Sequence, residues 1–212
     1  MCFSATASFA ASGVLAGASI VTLTSVKKKS AWGFALIPFL FAVQQAVEGF
    51  QWLSLNQGVG SLPLAYLFLF FALMFWPIFL PSAALQAEND PKRRLLIKLC
   101  IGLGIFSASV FFSELLIYPL TVEVAGRCIN YHIGAPDTLL FYPFGALYVT
   151  ALVGGGFLVR KFWIQMFAAL GLLGFVISYT MFSSGYASVW CFFAAVLSLC
   201  VIMELRSKPG KK

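Results

Sequence analysis

The stretch Gln44-Gln45-Ala-Val-Glu48-Gly-Phe-Gln51-Trp52 puts a carboxylic acid, amides and an indole into an otherwise apolar run. At about 100° per residue, Gln44, Gln45, Glu48 and Trp52 fall within an arc of roughly 100° on one helix face. An ionisable group in such a run is expensive in lipid and is a functional-site hypothesis by default. It could serve as a general acid or base, a cation ligand, or a passive hydrogen-bond donor. Glu114 is a second carboxylate in a later apolar run, with Ser107 two turns away on its face. Cys2 adds a thiol. Removal of Met1 would set an α-amine beside that thiol, making a chelate or a nucleophile with its own base. Glu48 and Cys2 are therefore the candidate catalytic residues, and Gln44, Gln45, Trp52, Glu114, Trp190 and Cys191 the candidate pocket.

The plainer reading is structural. Gln and Ser often serve as interhelical hydrogen-bond partners, and Cys2 as a small buried residue or an acylation site. A mixed metal site from Cys2, Glu48, Glu114 and His132 is chemically allowed, though no spacing demands it. His132 is the only histidine, which excludes zinc sites built on several histidines. Cys128 and His132 share a strand face, but four residues at about 3.3 Å each hold them roughly 13 Å apart.

Apolar stretches must position these groups. Hydrophobic residues make up 61% of the 212 and charged residues only 10%, far from the balance of a soluble domain. A spanning helix needs about 20 predominantly apolar residues, because lipid cannot satisfy the backbone. Spans are expected near Ser4–Ser25, Ala31–Leu53, Leu64–Ala87, Leu95–Tyr118, Leu139–Val159, Phe162–Phe182 and Ser188–Leu205, the last being the shortest. The expected fold is an all-α polytopic transmembrane helix bundle of seven helices, one integral membrane domain over 1–212; six spans are the alternative. In the first span Gly13 and Gly17 have the small-xxx-small spacing that favours close packing against neighbours over exposure to lipid.

Charge sets the orientation. Lys27–Lys29, Lys92–Arg94 with Lys98, Arg160–Lys161, and Arg206 with Lys208, Lys211 and Lys212 occupy alternate gaps, leaving only Arg127 opposite. The positive-inside rule then puts the N-terminus outside and the C-terminus in the cytoplasm. The net charge of +7 is thus a topology signal and a match to anionic lipid, not a nucleic-acid footprint. The N-terminus lacks the basic start of a signal peptide. Between spans four and five, Leu120–Val124 and Arg127–Ile133 read as two short strands around Ala125-Gly126, a hairpin over the outer mouth.

Met1-Cys-Phe-Ser-Ala-Thr-Ala-Ser-Phe9, Gln44-Gln45-x-x-Glu48-x-x-x-Trp52 and Ser188-Val-Trp190-Cys191 resemble an uncharacterised family of small bacterial integral membrane proteins. That resemblance implies a bacterial inner-membrane location and no established reaction. Members often carry His where Gln44 stands, so histidine chemistry is not carried over. Retinal is not expected as a cofactor, since Ser188–Leu205 has no lysine for its Schiff base, and Pro-Gln motifs of sugar-transporter-like triplets do not occur. Three classes follow: an outward-facing membrane enzyme with a thiol, carboxylate or metal site, a small-solute transporter, and a structural or accessory protein. The partners are the bilayer and a small-molecule or lipid ligand.

Overall fold

The computed structural model describes residues 4–134, 141–182 and 185–207. Seven helices run through it: α1 Ala5–Ser25, α2 Lys29–Asn56, α3 Leu62–Ala87, α4 Pro91–Ile117, α5 Phe141–Leu158, α6 Phe162–Met181 and α7 Tyr186–Arg206. Over the described residues, all except α5 are long and apolar enough to cross a bilayer. Helix α5 is the shortest over the described residues, which resume at Phe141. Consecutive helices pack side by side, α3 also packs across to α5, and α7 returns to α1 and α2.

Local chemistry sets the helix ends. Ser4 caps α1 by accepting from the Ala7 N–H at 3.2 Å. Asp90 caps α4 by accepting from Lys92 and Arg93, and Pro91 takes the first turn, where its missing N–H costs nothing. That cap starts α4 four residues before the apolar run does.

Proline disturbs α3. A wider π-turn occupies Phe70–Phe75, and the Trp76 N–H bonds back to Phe71 instead of Ala72. The next donor for Ala72 would be Pro77, which has none. Tyr148 of α5 fills the gap by donating its hydroxyl to the Ala72 carbonyl. One turn on, Pro81 cannot bond to the Pro77 carbonyl, and Gly104 of α4 packs there so closely that a Cβ would lie 2.0 Å from that oxygen. Gly155 of α5 meets Pro81 in a similar way, with a Cβ position 2.9 Å from its Cα. Gly154 and Gly156 are also closely packed, with Cβ positions 3.0 Å from Cys100 Sγ and 2.8 Å from Ala168 Cβ.

Gly13 and Gly17 behave otherwise. Helix α1 turns Ala5, Ser8, Leu15, Ala18, Ser19 and Thr22 inward, while a Cβ at Gly13 or Gly17 would meet nothing within 4 Å. The close packing expected of these two glycines is therefore corrected. Hydroxyls fasten α1 to α2: Ser12 donates to the Ala42 carbonyl and Thr22 to that of Ala35, each at 2.8 Å.

The hairpin forms as β1 Leu120–Ala125 and β2 Cys128–Ile133, antiparallel, with Leu120 opposite Ile133 and Ala125 opposite Cys128. Its turn is Gly126-Arg127, one residue later than expected. Gly126 has φ +63° and, among the described residues, no other residue type is left-handed, the requirement of a type II′ turn with glycine first. Ile129 packs with Ala5 and Trp52, while Tyr131 stacks on Phe68 at 4.6 Å, so one strand face caps α1, α2 and α3.

The opposite end gathers the basic gaps. Glu88 accepts from the N–H groups of Asn89, Asp90 and Arg160. Arg94 donates to the carbonyls of Leu85 and Glu88, Arg93 to that of Leu158, and Lys161 pairs with Glu204 at 3.1 Å. Burial alone would raise the Glu88 carboxyl, but its three backbone donors and the nearby Arg93 charge outweigh that and hold it below its ordinary value.

Candidate functional site

Helices α2 and α7 run antiparallel and exchange two polar contacts one turn apart. On the outer rung, by the charge-derived orientation, Ser188 donates to Glu48 Oε1, and the Gln45 amide donates to Glu48 Oε2 at 3.4 Å. On the next rung Gln44 Nε2 donates to Cys191 Sγ at 3.2 Å, while its Oε1 accepts from the Trp76 indole at 2.6 Å. The i, i+4 spacing of Gln44 and Glu48 meets the i, i+3 spacing of Ser188 and Cys191. Gln51, on the same helix, pairs its amide with both backbone groups of Ser61, at 2.9 and 3.2 Å. Gln44, Gln45, Glu48 and Gln51 are all fully buried.

The polar face expected on α2 is thus present, but it points into the bundle. Glu48 itself is fully buried within this network. Three of its neighbouring polar atoms have no partner among the described residues: Gln45 Oε1, Trp52 Nε1 and Ser8 Oγ.

A separate cavity of about 50 Å³ lies deeper, between α2, α3, α5, α6 and α7. Phe41, Trp76, Tyr148, Phe167, Trp190 and Cys191 line it, and Gly171 and Ala194 complete part of its wall. Phe41 stacks on Trp76 at 4.0 Å, and Trp190 meets Tyr148 edge-on at 6.0 Å. The polar ends of these residues are occupied elsewhere. Trp76 is bonded to Gln44, Tyr148 to Ala72, and Trp190 to the Gly171 carbonyl at 2.9 Å. Ring faces and carbon edges are left for the cavity.

The structure brings together Gln44, Gln45, Glu48 and Cys191, and it joins Cys191 to Trp190 at the cavity. Trp52 lies one turn beyond Glu48 against Ala5 and Ile129. Glu114 is half-buried on α4 and makes no side-chain hydrogen bond among the described residues, and His132 is exposed on the hairpin opposite Thr121. Cys2, and with it the expected neighbourhood of Cys2 and Cys191, lies outside the described residues. Among the described residues no group of three or more His, Cys, Asp or Glu is placed to hold a metal. The set Glu48, Glu114 and His132 is therefore not assembled: the three stand on different elements, Glu48 buried, Glu114 half-buried and His132 exposed. Cys100, Cys128, Cys191 and Cys200 are free thiols.

Ser188, Trp76, Tyr148 and Ser8 were absent from the expected site. Only Ser188 had a usable signal, its place one turn before Cys191. Trp76 and Tyr148 are brought in by the irregular course of α3, which residue spacing does not reveal.

A bundle of membrane-length helices with an enclosed polar network and an aromatic cavity is the class that this fold defines. The chain belongs to a family of unknown function, DUF6629, whose model matches residues 1–212. No curated protein and no solved structure matches it.

Proposed function

We propose that this protein is a membrane-embedded binding protein that holds an apolar small molecule, or the apolar part of an amphiphilic one, inside its helix bundle. The observation that carries the reading is the aromatic cavity whose polar groups are all turned into the protein. Water there would find few partners, and apolar cavities of this kind stay dry or take up hydrocarbon-like guests. A volume of about 50 Å³ has room for roughly three to five water-sized groups. That matches a short chain segment, which the bilayer supplies at high local concentration.

The protein resides in the bacterial inner membrane with seven spans, the N-terminus outside and the C-terminus in the cytoplasm. Support comes from the placement of Arg93, Arg94, Arg160 and Lys161 at one end of the bundle and from the positive-inside rule. A second reading is an enzyme using Glu48 and Cys2, favoured by the contact of Glu48 with Ser188 beside unsatisfied polar atoms. It requires a route from the outer face to a fully buried carboxyl.

Gly171→Leu separates these readings. A Cβ there meets nothing within 4 Å, so leucine fills the cavity without disturbing the backbone carbonyl that holds Trp190. Mass spectrometry of molecules co-purified with the wild type should find a hydrophobic species that the variant lacks. Equal recovery from both would reject the cavity as the binding site.

A further inference from the structure

We propose that Glu48 stands in a buried water site, in which ordered water links Ser8, Gln45 and Trp52 to its carboxyl group. The geometry comes from three helices. Trp52 and Gln45 flank Glu48 along α2, and Ser188 reaches it from α7. Ser8 lies on the α1 face whose Ala5 packs with Trp52, whose Phe9 covers Gly49, and whose Ser12 bonds to Ala42. Ser8 and Gln45 are fully buried and Trp52 is 5% exposed. Yet Ser8 Oγ, Gln45 Oε1 and Trp52 Nε1 have no partner among the described residues.

A buried polar group left unsatisfied costs about 1–3 kcal/mol, and buried water typically resolves such sites by making two to four hydrogen bonds. The types of orphaned atom identify the occupant. Trp52 can only donate, the Gln45 oxygen can only accept, and Ser8 does either. A bare cation would satisfy the oxygens but be repelled by the indole N–H. Water satisfies all of them. The site shares no residue with the aromatic cavity and does not depend on what that cavity holds. It also gives Glu48 a way to exchange its proton. In the acid form the carboxyl passes a proton to a bridging water as that water returns one to the other carboxyl oxygen, with no further reactant.

Indole-labelled protein in nanodiscs tests this by nuclear magnetic resonance, with Trp52→Phe used only to assign the signal. Trp76 and Trp190 are internal controls, equally buried but bonded within the protein. The Trp52 indole N–H should show a cross-peak to water and exchange in deuterated buffer at least tenfold faster than those of Trp76 and Trp190. Exchange as slow as the controls with no water cross-peak would overturn the proposal. So would a Trp52 signal that responds to added sodium but shows no water contact.

Discussion

The hydroxyl of Tyr148 donates to the carbonyl of Ala72, and this bond ties α5 to the one wide turn of α3. The contact repairs a backbone acceptor that the π-turn and Pro77 leave without a donor, and it also fixes the Tyr148 ring in the cavity wall. Tyr148→Phe should therefore destabilise the protein by about 1–3 kcal/mol, the cost of an unsatisfied buried carbonyl. Unfolding in mixed micelles measures it. A change within about 0.3 kcal/mol would show that another donor takes over.

Gly104 offers a steric test. A methyl group there would sit 2.0 Å from the Pro77 oxygen, and the obstacle is backbone that cannot rotate away. Gly104→Ala should lower stability by about 1–3 kcal/mol, as overpacking does, whereas Gly102→Ala, with nothing within 4 Å, should be neutral or mildly stabilising. Equal thermal stability of the two variants would contradict the α3–α4 approach.

Acid should loosen the end of the bundle where Glu88 joins α3, α4 and the α5–α6 turn. Its carboxyl is held below its ordinary value of 4.5 by backbone N–H donors and Arg93 despite burial. A depressed folded value means that the contribution is complete above about pH 4.5 and is lost as pH falls through the lower folded value. Glu88→Gln should remove that part of the pH dependence and lower stability at pH 7. An unchanged stability profile between pH 3 and 7, relative to the wild type, would count against it.

Orientation is tested by single cysteines at Ser61 and Thr121 in an otherwise cysteine-free protein. Both should react with an impermeant thiol reagent in intact cells if these loops lie outside, as the positive-inside rule predicts. Labelling only after permeabilisation would invert the topology.

Much of this architecture was legible because lipid imposes simple demands on sequence. Length and hydropathy located every helix, and Leu120–Ile133 announced a hairpin through alternation around glycine. The α2 face was legible too, since Gln44, Gln45 and Glu48 stand out in an apolar run. Which way that face points was not. Periodicity places residues on one side of a helix without saying whether the side meets water, lipid or α7, and here Ser188 and Cys191 close it off. Gly13 and Gly17 failed for the same reason, as their spacing permits close packing but names no partner. The cavity was invisible because its walls depend on the π-turn and on hydroxyl and indole groups turned away from it.

Fluorescence quenching tests the binding site most directly. With Trp32, Trp52 and Trp163 replaced by phenylalanine, only Trp76 and Trp190 emit, and both line the cavity. Bromoethane, a short chain segment carrying a heavy-atom quencher, should quench this emission saturably, and Gly171→Leu should reduce the saturable part at least fivefold. Quenching that rises linearly with concentration and is the same in both proteins would mean that the probe reaches the indoles only from the surrounding lipid, and the cavity would not be a binding site.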